Sequence, residues 1–364
     1  MNIGEVLAHG TPAYYFPIGT NWWGYPFPQR APPDLPDLGP WMQNIPDNTL
    51  LKTISIPGTH DTMARVGLEL ATCQVLSLEQ QLRAGIRALD IRCRCRNDQF
   101  ENHHGPIQQG TTFYDVLNTI VVFLNANPSE TILMRLKEEY GPENCEGEFE
   151  DQFDRIYFNN GAYSDYWWTG TDPNVTLGQI RKKIVMLYDE FPIKTQIGFN
   201  FRTFSNKQDL SNVRDLGAKW DAIKTQLINA NDNRRSGNFY VNFLSGNCND
   251  NALDITLNII GTGCMELPFF VASGHISYET DAARKDSTRE IHPDFPKNTD
   301  RGIYIPFLTD VEGEFLYEGM NVMTYNYIQQ NQPCFCGIVF IDYPGAGLID
   351  EIQLRNFRTT GDGC

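Results

Sequence analysis

The sequence predicts an α/β fold: a single, distorted (β/α)8 barrel of the TIM type, irregular in its later half and preceded by an extended N-terminal segment. Three observations carry this. Short β-branched or aromatic runs alternate with helical spacing, polar residues recur where those runs end, and 364 residues suit one such barrel. Barrels of this kind build their sites at the C-terminal ends of the strands, so the second observation also locates the chemistry. No internal repeat or linker divides the chain. The expected division is residues 1–45 as the extended segment and 46–364 as the barrel.

Residues 1–45 contain Tyr14-Tyr15-Phe16-Pro17, Trp22-Trp23-Gly24-Tyr25-Pro26 and Ala31-Pro32-Pro33 without periodicity. Proline fixes φ and removes a donor, so this stretch is expected to run extended over the barrel's outside or bottom. Trp22 and Trp23 would pack there or meet a membrane. Apolar alternation over 50–56 predicts the first strand, with His60-Asp61 just past its end. Ser77-Leu78-Glu79-Gln80 reads as a capping box, and Gly85 ends that helix. A second strand over 86–92 carries Asp90 and Arg92, and His103-His104 follow in a loop. Thr112 caps a helix over 113–126 that Pro128 stops.

A third strand, 131–138, ends in Lys137-Glu138-Glu139; a helix over 149–158 follows, then a strand over 184–188 ending at Asp189-Glu190. Next come a strand near 199–204 and a helix over 213–231, spaced by Val213, Leu216, Trp220, Ile223 and Leu227. After a strand at 239–244 the alternation fades over 245–316. It resumes with a helix at 319–330, a strand at 337–341 ending at Asp342, and a closing helix at 348–357.

Forty-one per cent hydrophobic and 20% charged residues are ordinary for a globular protein with a sizeable core. The net charge of −16, from 29 Lys+Arg against 45 Asp+Glu, argues against nucleic acid as a partner. It also excludes general attraction to an anionic membrane, so any lipid contact needs a local basic or aromatic patch. No apolar stretch is long enough to span a bilayer, and residues 1–19 show no signal-peptide pattern. Nine cysteines show no zinc-type spacing; buried free thiols are the expectation for most, with disulfides the alternative in a secreted protein. The sequon Asn174-Val175-Thr176 is compatible with secretion. Arg181-Lys182-Lys183 and Arg234-Arg235 read as solvated helix surface.

Two histidines, several acids and an arginine delivered to one strand edge make an acid/base site for a phosphate ester. A phosphodiester beside a free hydroxyl is cleaved by intramolecular attack if a base, an acid and cationic support for the phosphoryl oxygens converge. Imidazole suits both proton roles because its pKa lies near neutrality.

The ordered motifs "SIPGTHDTMA", "LEQQLRAGIRALDIRCR", "HHGP" and "NPSETILMRLKEEY", with "FYVNFLSG" and "GIVFIDYPG" later, resemble the catalytic X region of phosphatidylinositol-specific phospholipases C. The small bacterial-type enzymes are the most similar, over roughly residues 45–357. The resemblance implies His60 as general base, Asp342 as the carboxylate orienting it, His104 as general acid and Asp61 as its partner. His103 competes for the acid role, and the His-Gly-Pro order favours His104.

Where the calcium-dependent branch carries acids, this chain has Arg92, two residues after Asp90, and Lys137. Two cations in place of two anions make a poor site for a hard divalent ion, so neither metal nor other cofactor is expected. Lys137 and Asp209 match head-group contacts. The family's basic pair after the 184–188 strand is replaced here by Tyr188-Asp189, a loss that Arg202 or Lys194 would have to fill. Pro268-Phe269-Phe270-Val271 stands about where the family inserts an aromatic rim into the bilayer; simple core packing of a β-like run is the alternative.

The resemblance thus implies a metal-independent lyase acting on phosphatidylinositol at a membrane surface, giving diacylglycerol and inositol cyclic phosphate. The alternatives are the same machinery on another phosphodiester with a neighbouring hydroxyl, or a catalytically silent barrel binding lipid head groups or a protein.

Overall fold

The computed structural model describes residues 39–67, 71–189, 197–211, 216–246, 268–277, 297–298 and 315–358. Its strands are β1 (Ile56–Thr59), β2 (Ala88–Arg96), β3 (Gln99–His104), β4 (Ile107–Thr112), β5 (Ile132–Glu138), β6 (Ile184–Asp189) and β7 (Phe199–Asn200). Then follow β8 (Asn206–Gln208), β9 (Tyr240–Phe243), β10 (Gly274–Ser277), β11 (Lys297–Asn298), β12 (Phe315–Glu318) and β13 (Ile338–Ile341). The helices are α1 (Leu78–Arg83), α2 (Phe113–Ala126), α3 (Phe149–Gln152, continued by a π-helical turn at Phe153–Phe158) and α4 (Leu177–Ile180). They continue with α5 (Leu216–Asp232), α6 (Pro268–Ser273), α7 (Met320–Asn331) and α8 (Ala346–Leu354).

The main sheet runs β7-β6-β5-β2-β1-β13-β9-β8 with every neighbour parallel. Followed around from β1, this is chain order: an eight-stranded TIM-type barrel. Its seam lies between β7 and β8, which have no mutual pairing among the described residues. A hairpin of β3 and β4 extends antiparallel from the far end of β2, and β10, β12 and β11 form a separate antiparallel sheet.

Alternation along the strands sorts the core into layers. Ile338 and Phe340 enter the barrel interior with Ala88, Leu133, Val185, Val241 and Phe243. Val339 and Ile341 pack outward on Met320, Ile328, Leu348 and Ile352 of α7 and α8. Leu89, Ile91, Met134, Leu136 and Met186 likewise meet α1 and α2 through Leu82, Phe113, Leu117, Ile120 and Leu124. Each such side chain contributes about 1.5–3 kcal/mol when fully buried. Gly58 stands where a Cβ would lie 2.8 Å from the Ala88 Cβ and carbonyl oxygen, so the approach of β1 to β2 requires glycine there. Both longer predicted caps form: Ser77 and Thr112 each make a reciprocal capping box.

Several expectations are corrected. The first strand begins later than its apolar pattern suggests, because Leu51–Thr53 form a 3-10 turn and pairing with β13 starts only at Ile56. The strand expected near 199–204 stops at Asn200, whose side chain accepts from the Arg202 amide and turns the chain into a 3-10 helix, Phe201–Thr203. His103 and His104 end a strand instead of lying in a loop, since β3 pairs with both β2 and β4. Pro268–Ser273 is helical and not β-like, and the side chains of Phe269 and Phe270 lie outside the described residues. Arg181 is a tie at the N-terminal end of the barrel, not solvated helix surface: it donates to the carbonyls of Met42, Ile45 and Ser129 and pairs with Asp47.

Free thiols do not account for all the cysteines. Cys95 and Cys145 are disulfide-bonded with Cα atoms 6.3 Å apart, a normal bridging distance, and Cys334 is disulfide-bonded as well. Cys73, Cys93 and Cys336 are buried thiols. Residues 1–38 with Trp22 and Trp23, as well as Lys194 and Val213, lie outside the described residues.

Candidate active site

The same two-residue alternation that fills the barrel with apolar side chains builds the site above them. On β2, Ala88 belongs to the interior layer, and Asp90 and Arg92 follow it on the same face. On β5, interior Leu133 is followed by Arg135 and Lys137, and the register sets Asp90 beside Arg135 and Arg92 beside Lys137. On β6, interior Leu187 leads to Asp189, opposite Lys137. Phe340 of β13 leads to Asp342, and Ile56 of β1 leads through Gly58 to His60. The stacked rings of Phe243 and Phe340, 4.8 Å apart, lie beneath, and His60 sits edge-on to Phe243.

His60 Nδ1 and Asp342 Oδ1 are 2.8 Å apart. A carboxylate partner fixes the proton on Nδ1 and leaves Nε2 with its lone pair, which faces Arg92 Nη2 at 2.6 Å. Arg92 also donates from Nε and Nη2 to Asp90 Oδ2 at 3.2 and 3.0 Å. Its Nη1 lies 3.4 Å from Asp61 Oδ2 and 3.8 Å from Glu139 Oε1. On the far side His104 Nδ1 donates to the Ala71 carbonyl at 2.8 Å, and its Nε2 lies 3.8 Å from Asp61 Oδ2. That last separation is an ion-pair distance, not a hydrogen bond. His103 is almost fully buried beside Glu101 and Gly105, turned away from this set.

Backbone geometry holds the acids in place. Asp61 adopts φ +40°, and its amide donates to Asp90 Oδ2 at 3.0 Å. The Asp342 carbonyl accepts from Asn321 Nδ2, and the next residue, Tyr343, takes φ +48°. Gln74 Nε2 clamps the carbonyls of His60 and Ile341, tying the ends of β1 and β13.

Burial works against ionising Asp90, but Arg135 and Arg92 override it and hold the carboxyl well below the ordinary range. Glu139 is held low in the same way, burial being outweighed by Arg92 and Lys137. Asp61 goes the other way: burial pushes its carboxyl up despite Arg92, His104 and His60. Burial, with Asp342 and Asp61 adding to it, pushes the Cys73 thiol well up.

One cleft of about 360 Å³ opens onto this set. Of the eight site residues expected from sequence, His60, Arg92, His104, Lys137, Asp209 and Asp342 line it directly, and Asp61 and Asp90 sit beneath through their contacts with Arg92. Lys137 is also paired with Glu139 at 3.0 Å. Arg135 escaped the sequence reading. It lies in the cleft wall, bridging Asp90 Oδ1 at 2.6 Å and Asp189 Oδ2 at 2.6 Å. Its signal was its parity with Leu133 and Lys137 in an otherwise apolar run. Arg202 is over half exposed and reaches Asp189 Oδ1 at 3.2 Å, outside the lining.

A hard divalent cation does not fit beside Asp61, Asp90 and Glu139, because the Arg92 guanidinium already lies among their oxygens.

Residues 51–189 match the family described as phosphatidylinositol-specific phospholipase C, X domain. The 1-phosphatidylinositol phosphodiesterase of Listeria monocytogenes is 42% identical over 177 residues, 45% of this chain and 52% of that protein. That of Staphylococcus aureus (strain Newman) is 30% identical over 244 residues, 60% of this chain and 78% of that protein. The chain belongs to the phosphatidylinositol-specific phospholipase C family. The match with the Listeria relative thus spans about half of that protein's length.

Solved structures of the family share the barrel. A pentafluoro-Phe-incorporated phosphatidylinositol-specific phospholipase C from Staphylococcus aureus superposes with TM-score 0.61 at 21% identity, over 87% of this chain and 99% of that one. The Listeria monocytogenes phospholipase C gives 0.56 at 25% identity, over 86% and 97%.

Proposed function

We propose that this chain is a metal-independent phosphatidylinositol phosphodiesterase, a lyase acting transiently at a membrane surface, with residues 46–364 as its catalytic barrel and 1–45 as an accessory segment. One observation carries the reading: His60, Arg92, Asp61 and His104 form a continuous line of contacts in one cleft, with Arg92 between the two imidazoles. A single phosphoryl group spans such a site. His60 Nε2 takes the proton of the inositol 2-hydroxyl, whose oxygen attacks phosphorus, while Asp342 stabilises the imidazolium. Arg92 supplies positive charge to the phosphoryl oxygens, held by Asp90, which stays ionised throughout the working range. His104, with Nδ1–H committed to Ala71, gives its Nε2 proton to the departing glycerol oxygen. The products are diacylglycerol and inositol cyclic phosphate. Lys137, Asp209 and Arg135 line the remaining wall, where inositol hydroxyls would bind.

The names of the relatives point to the same substrate. Turnover of phosphatidylinositol vesicles in excess chelator tests the proposal: cyclic inositol phosphate is expected without added metal. Activity that vanishes with chelator and returns with calcium refutes the metal-independent mechanism. Cleavage only of another hydroxyl-bearing phosphodiester refutes the substrate.

A further inference from the structure

Cys73 has no part in the reaction proposed above, yet it lies in the cleft between its two proton-transfer pairs. Its sulfur forms one group with donor atoms of His60 and Asp342, and a second with donors of Asp61 and His104, all donors within 4.8 Å of one another in each group. The thiol is free and buried, and lines the cleft beside His60, His104 and Asp342. A second observation points to a ligand: Asp342 is 1% exposed, and its Oδ2 has no hydrogen-bond partner among the described residues. A buried carboxylate oxygen left without a donor carries a desolvation cost that a cation would offset.

We propose that His60, Cys73 and Asp342 form a zinc-type inhibitory metal site, in which one borderline-soft divalent cation binds thiolate, imidazole and carboxylate and takes the base out of service.

The donor set decides the metal. One sulfur, one imidazole nitrogen and one carboxylate oxygen match Zn2+ or Cd2+, whereas Mg2+ and Ca2+ call for oxygen alone. Three protein ligands leave a fourth position for water, the arrangement of an open zinc site. Bonds of about 2.0–2.3 Å require the donors to draw in by about an ångström. His60 is partly exposed and so has room to move. The His60–Cys73–Asp342 group is preferred over Asp61–Cys73–His104 because His60 can bind through Nδ1, the nitrogen that faces Asp342 and not Arg92, whereas Arg92 Nη1 stands 3.4 Å from Asp61 Oδ2 and His104 Nδ1 is committed to the Ala71 carbonyl. On binding, the thiol proton passes to solvent as the sulfur coordinates, the His60 ring proton moves from Nδ1, which takes the metal, to Nε2, which gives up its contact with Arg92, and no electron changes hands.

Binding goes beyond the proposed reaction and is measured apart from it. The inhibitory consequence rests on that reading. Purified full-length protein is titrated with Cd2+ alone, following the ultraviolet thiolate-to-cadmium band, and with Zn2+ by equilibrium dialysis. One ion per chain is expected to depend on Cys73, with Cys73→Ala and Cys73→Ser each weakening it at least tenfold. His60→Ala should weaken binding similarly and His104→Ala leave it within about threefold. Micromolar Zn2+ should inhibit phosphatidylinositol cleavage by the unaltered chain, reversibly with chelator, and leave each Cys73 variant at its own metal-free turnover. A Cd2+ band that persists unchanged in both Cys73 variants overturns the site, and a loss in His104→Ala with retention in His60→Ala overturns the chosen ligands. Cys73-dependent binding without inhibition overturns the inhibitory role alone. Failure of the unaltered chain to turn over phosphatidylinositol leaves the binding result standing and counts against the proposed function instead.

Discussion

His60 keeps one ring nitrogen on Asp342 and holds the other 2.6 Å from Arg92, so the lone pair that the proposed base needs is occupied in the resting cleft. In the proposed reaction a phosphoryl group that claims the guanidinium would release Nε2 for the attacking hydroxyl, coupling proton removal to the substrate phosphate. On this arrangement His60→Ala and His104→Ala each lower kcat by about 10²–10⁴. Both rings are partly exposed at 18%, so thermal unfolding should stay close to that of the unaltered chain. Steady-state kinetics with a melting curve checks both points, and full activity in either variant removes that residue from its role. These residues were legible because each stands in or beside a short strand, in a polar combination that no core would favour. Arg135 was not, because Ile132, Leu133, Met134 and Leu136 around it read as uniformly buried. Only counting in steps of two from Leu133 reveals that it faces the cleft with Lys137.

Helix α5 is joined to the barrel by a charge that pays a desolvation cost. Lys219 is fully buried, its Nζ donating to the carbonyls of Phe243, at the end of β9, and Leu210. Burial pushes its ammonium down to about 7 from 10.5, against the opposing pull of Asp342 and Asp209. The unfolded chain therefore holds a proton between those values that the folded chain has released. Stability attributable to Lys219 rises with pH across that window, and its cost is fully present below about 7. Urea denaturation of the unaltered chain and Lys219→Met should give a difference in unfolding free energy that moves in the unaltered chain's favour from pH 7 towards 10; a flat difference excludes the buried ammonium.

At the scale of elements, α1 and α2 were legible from their caps, α5 from its 3.6-residue spacing, and the longer strands from their apolar runs. The edge strands β7 and β8 have only two and three residues, too few for any period to show. The placement of β3 depends on its antiparallel pairing with β2 and β4, which are distant information for a local reading.

Across the whole molecule, the Cys95–Cys145 bridge closes a 50-residue span containing the β3–β4 hairpin, α2 and β5. Removing that closure from the unfolded chain should cost about 2–4 kcal/mol. The double variant Cys95→Ser/Cys145→Ser is accordingly expected to unfold at lower denaturant, and an unchanged midpoint would show the bridge to be idle. The pairing partner was invisible in sequence because Cys145 follows a turn region with no periodic signal, and only the fold brings it to the end of β2. The barrel as a class was legible, since alternating elements with polar strand ends have few other solutions. Its seam was not. β7 and β8 have no ladder pairing to each other among the described residues, and aromatic rings fill the gap instead, Phe199 lying 5.1 Å from Phe239 and Phe204 stacking on Phe239 at 4.8 Å. Phe201, in the link between the two strands, forms part of the cleft wall and lies edge-on to Phe243 and Phe340. Among the described residues the ring is therefore closed by hydrogen bonds at seven joints and by apolar ring contact at the eighth, so the floor of the cleft and the closure of the barrel share one aromatic cluster.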